Sequence, residues 1–438
     1  VTLAVPQINA LLPKRWRYPV AWMTTADIVA VLLALALPWS TSLVGIFGVV
    51  MILTLLPSID IDIFIASLKR PICAAPIALF LLAVIGTLWS DASWSARFHA
   101  VSPTAKLLML PLLFYHFSRS QRGLWVFVAF LASCAVVAVM SWIVVFFPEL
   151  TLKARDFASR GIFVKNYIDQ SQEFALCAVA LVYPITMLVR TRRIALALLL
   201  GALTLTFLAN MTFVIVSRTA LVTIPIMLAA FSVFHLRWQT TLLTLCAAAA
   251  IAALGWSVSP QLKATIGSFE GQYQQYKEQG ASNSIGQRLE FYRKSLRFFA
   301  DAPALGHGTG SIRGLFERAV EGPAGLASAE VIGNPHNQTL NVAVQWGIVG
   351  AGVLYAMWLS HLLLFRGEGL VNWIGFLVVV QNIFTSLFNS HIFDFHEGWM
   401  YVLGVGVAGG LVLKSREPKL DVRPCCAAVQ GTEDSSTL

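Results

Sequence analysis

The sequence predicts an all-α, polytopic membrane protein of about twelve transmembrane helices with one large helical loop on the periplasmic side. Three observations predict it. The 438 residues are 57% hydrophobic and only 12% charged, against roughly a quarter charged in a soluble chain. Apolar runs recur along most of the chain, many near the ~20 residues that a bilayer span needs. The basic residues fall in short clusters between those runs, as they do in membrane proteins. A mean hydropathy of +0.72 is more apolar surface than one core can bury, so it must face lipid.

The runs lie near 24–38, 41–57, 72–89, 101–118, 122–147, 171–189, 193–211, 214–235, 239–257, 336–365, 370–388 and 396–413. The first two are short for a span and must tilt, extend into their flanks or form a re-entrant pair. The first follows Lys14, Arg15 and Arg17 but has no clean small-residue cleavage site, and reads as a membrane helix rather than a signal peptide. With the N-terminus cytoplasmic, the even connectors hold Lys69 and Arg70, Arg119 and Arg122, Arg190, Arg192 and Arg193, Arg237, and Arg366. Each cytoplasmic connector then carries a base, as the positive-inside rule requires. Both termini are therefore expected in the cytoplasm.

Four segments are expected: residues 1–257, transmembrane helices one to nine with a short periplasmic loop near 148–170; 258–335, a large periplasmic loop or lid; 336–413, helices ten to twelve; and 414–438, a disordered cytoplasmic tail. The net charge of +9 sits in topogenic clusters and does not point to nucleic acid. Cys73, Cys134, Cys177 and Cys246 lie in apolar runs as small hydrophobes, and Cys425 and Cys426 in the polar tail. No spacing resembles a disulfide framework or a zinc site. No internal repeat is present.

The long loop has structure of its own. Ile285, Leu289, Tyr292, Leu296 and Phe299 repeat at 4-3-4-3 spacing, the apolar stripe of an amphipathic helix. Ser282, Asn283 or Ser284 is placed to cap it, and Asp301-Ala302-Pro303 ends it. Its polar side carries Arg288, Arg293, Lys294 and Arg297, and 261–279 reads as a second, polar helix.

Several residues carry chemistry. In Asn334-Pro335-His336-Asn337, Asn suits an N-cap and Pro the first helical position. His336 is then expected in the first turn of a membrane helix, where the dipole keeps imidazole neutral and fit to act as a base. The competing reading is a histidine anchoring the interface. Arg218, nineteen residues before Arg237, is ~28 Å from it at ~1.5 Å per residue, near the periplasmic end of its helix. An arginine there is a functional candidate, or a snorkelling anchor. Arg288 opens the loop helix and has the fork that grips phosphate. A solvated face remains the alternative, and is the preferred one for Arg293, Lys294 and Arg297. Gly306-His307-Gly308-Thr309-Gly310 lacks a P-loop ending and reads as a tight turn. His391, Asp394, His396 and Glu397 form a polar cluster of metal-ligand types, but their spacing matches no standard motif.

These residues together resemble a known family. His336-Asn337, nine residues, Gly347, two residues and Gly350 resemble the signature of bacterial O-antigen ligases, within the O-antigen ligase and polymerase superfamily of lipopolysaccharide biosynthesis. Ser284-Ile285-Gly286-Gln287-Arg288, the segment Pro303 to Gly310, Arg218 in Ser-Arg-Thr-Ala-Leu, and Arg160-Gly161-Ile162-Phe163 with Asn166 are similar to further superfamily motifs. Lys165 stands where relatives often have Pro. The similarity covers roughly residues 150 to 400.

The resemblance implies an all-helical, GT-C-like membrane glycosyltransferase with a periplasmic lid. It would move O-antigen glycan from undecaprenyl diphosphate to the lipid A–core oligosaccharide at the periplasmic face of the bacterial inner membrane. His336 is expected as general base, Arg218 and Arg288 as diphosphate contacts, and Arg160, Lys165, Asn337, His307 and Asp394 as further substrate contacts. No cofactor and no metal are expected, because no Asp-x-Asp pair lies near these motifs. The expected partners are the two lipid-linked glycans and membrane lipid, with no nucleic acid. The competing functions are an O-antigen polymerase, a protein-glycosylating ligase, a polyprenyl-lipid transporter and a structural scaffold.

Overall fold

The computed structural model describes residues 19–152, 161–215, 217–235 and 237–416. The described residues form helices and loops without a named strand. The first half runs α1 (Pro19–Ala36), α2 (Thr41–Leu55), α3 (Ile61–Leu68), α4 (Pro71–Ile85), α5 (Trp94–Val101), α6 (Met109–Phe117), α7 (Gly123–Phe146), α8 (Tyr167–Ala180) and α9 (Val182–Arg190). It continues with α10 (Ile194–Phe213), α11 (Arg218–His235), α12 (Trp238–Val258), α13 (Pro260–Gln279), α14 (Ser284–Asp301), α15 (Ile312–Arg318), α16 (Gln338–Leu364), α17 (Leu370–Thr385) and α18 (Phe395–Arg416).

Among the described residues, eight helical stretches are long and apolar enough to cross a membrane: Thr41–Ser58, Pro71–Leu88, Gly123–Phe146, Tyr167–Arg190, Ile194–Phe213, Thr241–Val258, Gln338–Leu364 and Phe395–Arg416. Shorter apolar helices at Val20–Ala36, Val222–Phe234 and Leu370–Thr385 account for three more runs. The remaining run, near 101–118, is divided. Its first part is a 3-10 segment, Ser102–Leu108, that contains Pro103, and its second part is α6. The protein is thus a polytopic, all-helical membrane protein. The expected tail lies outside the described residues beyond Arg416.

Polar side chains set the helix starts. Ser40, Asp60, Asn166, Ser259 and Asn283 each accept a backbone N–H from the first turn of α2, α3, α8, α13 and α14, which satisfies donors a helix cannot pair internally. Both expected loop helices form, as α13 and α14, but the buried face of α14 runs through Phe291, Lys294, Ser295 and Phe298, while Leu289 and Leu296 of the expected stripe are exposed and Lys294 is not solvated.

α18 is the most buried of the candidate spans. A Cβ at Gly406, Gly409 or Gly410 would lie within 2.6 Å of Leu113, Phe114 or Phe117 on α6, and one at Gly404 within 2.8 Å of Val378 on α17. Small residues here let neighbouring helices approach closely, the main source of packing energy between helices in lipid.

α16 is broken within the signature segment. Trp346 and Gly347 have non-helical backbones, Gly347 at φ +62°. The glycine-rich turn after α14 fills the break. His307 N–H donates to Val344 O at 2.9 Å, Gly308 N–H to Gln345 O at 2.8 Å, and Ile348 N–H to Pro303 O at 2.8 Å. Gly310 N–H donates to the Gln345 side chain at 2.7 Å. Thr309 continues to the end of α4, through Gly86 O and Ala83 O. Gly306, Gly308 and Gly310 all have positive φ, so the expected tight turn is present. Its task is to bind the loop to the bundle.

A Cβ on Gly347 would lie 2.2 Å from Ala304 O, whereas one on Gly352 of the same helix meets nothing within 4 Å. Gly347→Ala should therefore destabilise the protein by more than ~1 kcal/mol, and Gly352→Ala should be neutral or slightly stabilising. Thermal unfolding midpoints of the purified proteins in one detergent measure the difference.

Candidate active site

His336 lies just before α16 and not inside it. The sequence reading puts Asn334 at the cap and Pro335 in the first turn. In the structure the cap is Asn337, whose side chain accepts Leu340 N–H at 3.0 Å. Asn334 instead turns the chain back on itself, accepting His336 N–H at 3.0 Å and the Ser390 hydroxyl at 2.7 Å. That tight turn holds His336 at φ +53°, a conformation no α-helix contains. Strained backbones of this kind cluster at functional sites.

The turn between α17 and α18 supplies the polar surroundings of this imidazole. His336 Nδ1 lies 2.8 Å from Asn389 Oδ1. Asn389 Nδ2 donates to Asp394 Oδ2 at 2.6 Å, and Asn334 Nδ2 donates to Asn389 Oδ1 at 3.1 Å. The flat face of the ring stacks on Phe291, with centroids 6.0 Å apart and planes at 26°. Burial pushes the His336 pKa below the usual 6.5; the Arg288 charge acts in the same direction, and the Asn389 contact and the Asp394 charge oppose it. Burial, rather than the helix end that the sequence suggested, is what favours the neutral ring.

α14 brings Arg288 to the same place. Arg288, Phe291 and Tyr292 are three and four residues apart and share a helix face. Phe291 stacks on His336, and Tyr292 Oη donates to His336 O at 3.2 Å and to Leu387 O at 2.6 Å. Arg288 is half-buried and has no carboxylate within ion-pair reach among the described residues. Its neighbour Arg293 on the same helix is paired with Glu290 and Glu321, both at 2.8 Å. Arg288 lines a cavity of about 560 Å³, together with Ser284 on its own helix, Gln261, Thr265 and Ser268 on α13, Ser217 and Thr219 at the start of α11, and Tyr167. A guanidinium with no described counter-ion, beside hydroxyl and amide side chains, has the chemistry to receive an anion. His336 does not line this cavity.

The other expected residues divide. α11 begins at Arg218, between the cavity-lining Ser217 and Thr219, but the Arg218 side chain is outside the described residues, as is the whole of Arg160. Lys165 turns into the bundle: its Nζ donates to Leu37 O and meets His396 Nδ1, and His396 Nε2 sits 2.6 Å from Glu173 Oε1. Lys165 is therefore committed to a buried charge cluster and does not line the Arg288 cavity. Asn337 is occupied as the cap of α16 and by Leu387 O at 3.3 Å. His307 is tied to Phe298 O at 2.7 Å. Asp394 joins the His336 surroundings through Asn389.

His391, Asp394 and Glu397 have ligand atoms within 4.8 Å of one another. His391 Nδ1 lies 3.2 Å from Asp394 and 3.6 Å from Glu397, close as an ion pair but without hydrogen-bond alignment. Burial works against its protonation, yet the two carboxylates outweigh it and push its pKa up to about 9. The three ligand atoms lie near enough to share a cation, and as they stand the imidazole serves as counter-ion to the two carboxylates.

Sequence reasoning missed Asn389, the aromatic pair Phe291 and Tyr292, and the cavity-lining Tyr167, Ser217 and Thr219. An Asn in a short polar turn between apolar helices is a signal, but its partner is fifty-three residues away. Residues 203–355 match the family model described as O-antigen ligase. The matched stretch contains Arg218, Arg288 and His336. No curated protein matches the chain.

Removing the Arg288 charge should make His336 easier to protonate, so Arg288→Ala should raise its pKa. The pH dependence of diethyl pyrocarbonate modification at His336, followed by mass spectrometry, reads that shift. An unchanged or lower midpoint would contradict the electrostatic coupling.

Proposed function

The match of residues 203–355 supports a place for this chain in the O-antigen ligase superfamily, and on that premise we propose that it is an O-antigen ligase. In this reading the donor is O-antigen glycan on undecaprenyl diphosphate, and the acceptor is the lipid A–core oligosaccharide. The reaction takes place at the periplasmic face of the inner membrane, with 258–335 as a lid and both termini cytoplasmic. The basic connectors support that orientation.

One observation carries the reading. A single face of α14 presents an arginine with no carboxylate partner among the described residues to a cavity with polar lining residues, and stacks an aromatic ring on a half-buried histidine whose burial favours the neutral form. An anion receptor and a base on adjoining surfaces suit transfer from a lipid diphosphate to a hydroxyl.

The steps balance as follows. His336 takes the proton from an acceptor sugar hydroxyl. That oxygen bonds to the anomeric carbon of the donor glycan, with inversion. The bond from that carbon to the phosphate oxygen breaks, and its electron pair leaves on undecaprenyl diphosphate. Arg288, with Arg218 at the start of α11, receives the charge that grows on that oxygen. Donors already oriented toward developing charge usually supply the largest catalytic term, and a positioned base adds ~10²–10⁴-fold. Two guanidinium groups do the work that a divalent ion does elsewhere, so the reaction is metal-independent. A closed lid would protect the donor from water.

Purified protein mixed with both lipid substrates tests this directly on a gel. Laddered lipopolysaccharide is the expected product, in the presence of EDTA as in its absence. Lengthened polyprenyl-linked glycan would mean a polymerase. His336→Ala should remain folded and lose at least ~10²-fold in rate, and Arg288→Lys should be partly defective because the fork is lost. Ligation by His336→Ala at the unaltered rate would retire the base assignment.

A further inference from the structure

We infer that Asn389 is a positioning residue: it holds the His336 imidazole in the tautomer with hydrogen on Nδ1, which leaves the Nε2 lone pair as the atom that accepts the substrate proton. The inference rests on the proposed function for its catalytic meaning, but not for its geometry.

An amide in a protein can be turned over without changing its shape, so its orientation must be argued from its neighbours. Two independent chains of contacts fix Asn389. The first starts from a backbone N–H, which can only donate. His336 N–H points at Asn334 Oδ1 at 3.0 Å, so the other end of that amide, Nδ2, is the group 3.1 Å from Asn389. It is a donor, and the Asn389 atom facing it must be the carbonyl oxygen. The Ser390 hydroxyl at 2.7 Å from Asn334 Oδ1 agrees with this assignment. The second chain starts from a carboxylate. Asp394 Oδ2 is 2.6 Å from the other end of Asn389. An oxygen there would face an oxygen, so that end must be the NH₂.

Both chains leave Asn389 Oδ1 facing His336 Nδ1 at 2.8 Å. A carbonyl oxygen with two lone pairs can accept from Asn334 and His336 together. Nδ1 must therefore carry hydrogen. In a neutral ring Nε2 is then the acceptor, and among the described residues it has no hydrogen-bond partner. The Phe291 ring stacks on one face of the imidazole, and the Nε2 lone pair lies in the plane of the ring.

Asp394 is in turn held from behind. Lys106 Nζ donates to its backbone carbonyl and, at 3.3 Å, to that of Phe393, and His391 lies 3.2 Å from its side chain. The charged groups around the imidazole are Arg288 from α14, with Asp394 and His391 from the turn before α18. The amide thus stands between the acid and the base. It passes orientation from the carboxylate to the ring without placing a full negative charge beside Nδ1, where it would favour imidazolium and spoil the base. An aspartate in direct contact with the histidine would orient the ring equally well but would raise its proton affinity.

The tautomer is measurable without any substrate. Full-length protein labelled with ¹⁵N-histidine, in lipid nanodiscs above the histidine titration range, should show for His336 a pyrrole-type Nδ1 and a pyridine-type Nε2. The His336→Gln protein identifies the signal by its loss. In Asn389→Leu the signal should move to the opposite tautomer or an average. Its kcat should fall at least ~10-fold and by no more than His336→Ala loses, with the donor KM within about 2-fold. Asn389→Asp keeps an acceptor on Nδ1, so it should retain the tautomer, while the carboxylate beside the ring should move the pH–rate profile of the base to higher pH.

A pyridine-type Nδ1 in the unaltered protein overturns the inference, and so does an Asn389→Leu signal and kcat that stay unchanged. The expected tautomer together with full ligation by His336→Ala would instead remove the proposed base while leaving the role of Asn389 in orienting the ring intact.

Discussion

The break in α16 is the constraint from which the site follows. Backbone groups freed inside an apolar bundle must find partners, because no water is there to receive them. The carbonyls of Val344 and Gln345 and the N–H of Ile348 are such groups, and residues 303–308 supply the partners for all three. The loop after α14 is thereby fixed to the bundle through its backbone, with the Gln345 and Thr309 side chains adding further hydrogen bonds. Only glycine fits at Gly347, and the turn residues Gly306, Gly308 and Gly310 have the positive φ that the close fit demands. Because α14 runs directly into this anchored turn, its Arg288–Tyr292 face is pressed onto the start of α16.

That docking accounts for the electrostatics. His336 sits between a cation and a carboxylate that act in opposite directions, and burial decides in favour of the neutral ring. In the proposed function Arg288 serves twice. It discourages a proton on the imidazole, and it offers the cavity the positive charge that a diphosphate would neutralise. Binding an anion at Arg288 would relax its pressure on His336, which would let the ring take a proton more readily once substrate is in place. The polar turn between α17 and α18 adds the third support, with Asn389 and Asp394 paired before any ligand arrives. Preorganisation of this kind lowers the reorganisation needed in the reaction itself.

Much of this was legible in the sequence, and the parts that were not share a cause. The apolar runs, α13, the extent of α14 and a cap within Ser282–Ser284 follow from periodicity and local chemistry, which act within a few residues; which of the three caps, and which face of α14 is buried, depend on tertiary contacts. The glycines of the turn announced themselves by composition. The position of His336 was misjudged because Asn-Pro is a good helix start locally, while a contact to Ser390 some fifty residues away makes it a tight turn instead. Lys165 read as a substrate contact and proves to be part of a buried cluster with His396 and Glu173, which no local pattern links. Asn389 carried no motif at all. Its meaning lies in two neighbours on other segments.

In the proposed function Arg288 and His336 serve one substrate from adjoining surfaces. The structure of the His336→Ala protein with a polyprenyl-diphosphate-linked glycan tests it most directly. The account predicts the diphosphate within ion-pair reach of Arg288, in the cavity lined by Ser217, Thr219 and Ser284, with the anomeric carbon turned toward the vacated imidazole position. A diphosphate seated elsewhere, with Arg288 still unpaired, would contradict it.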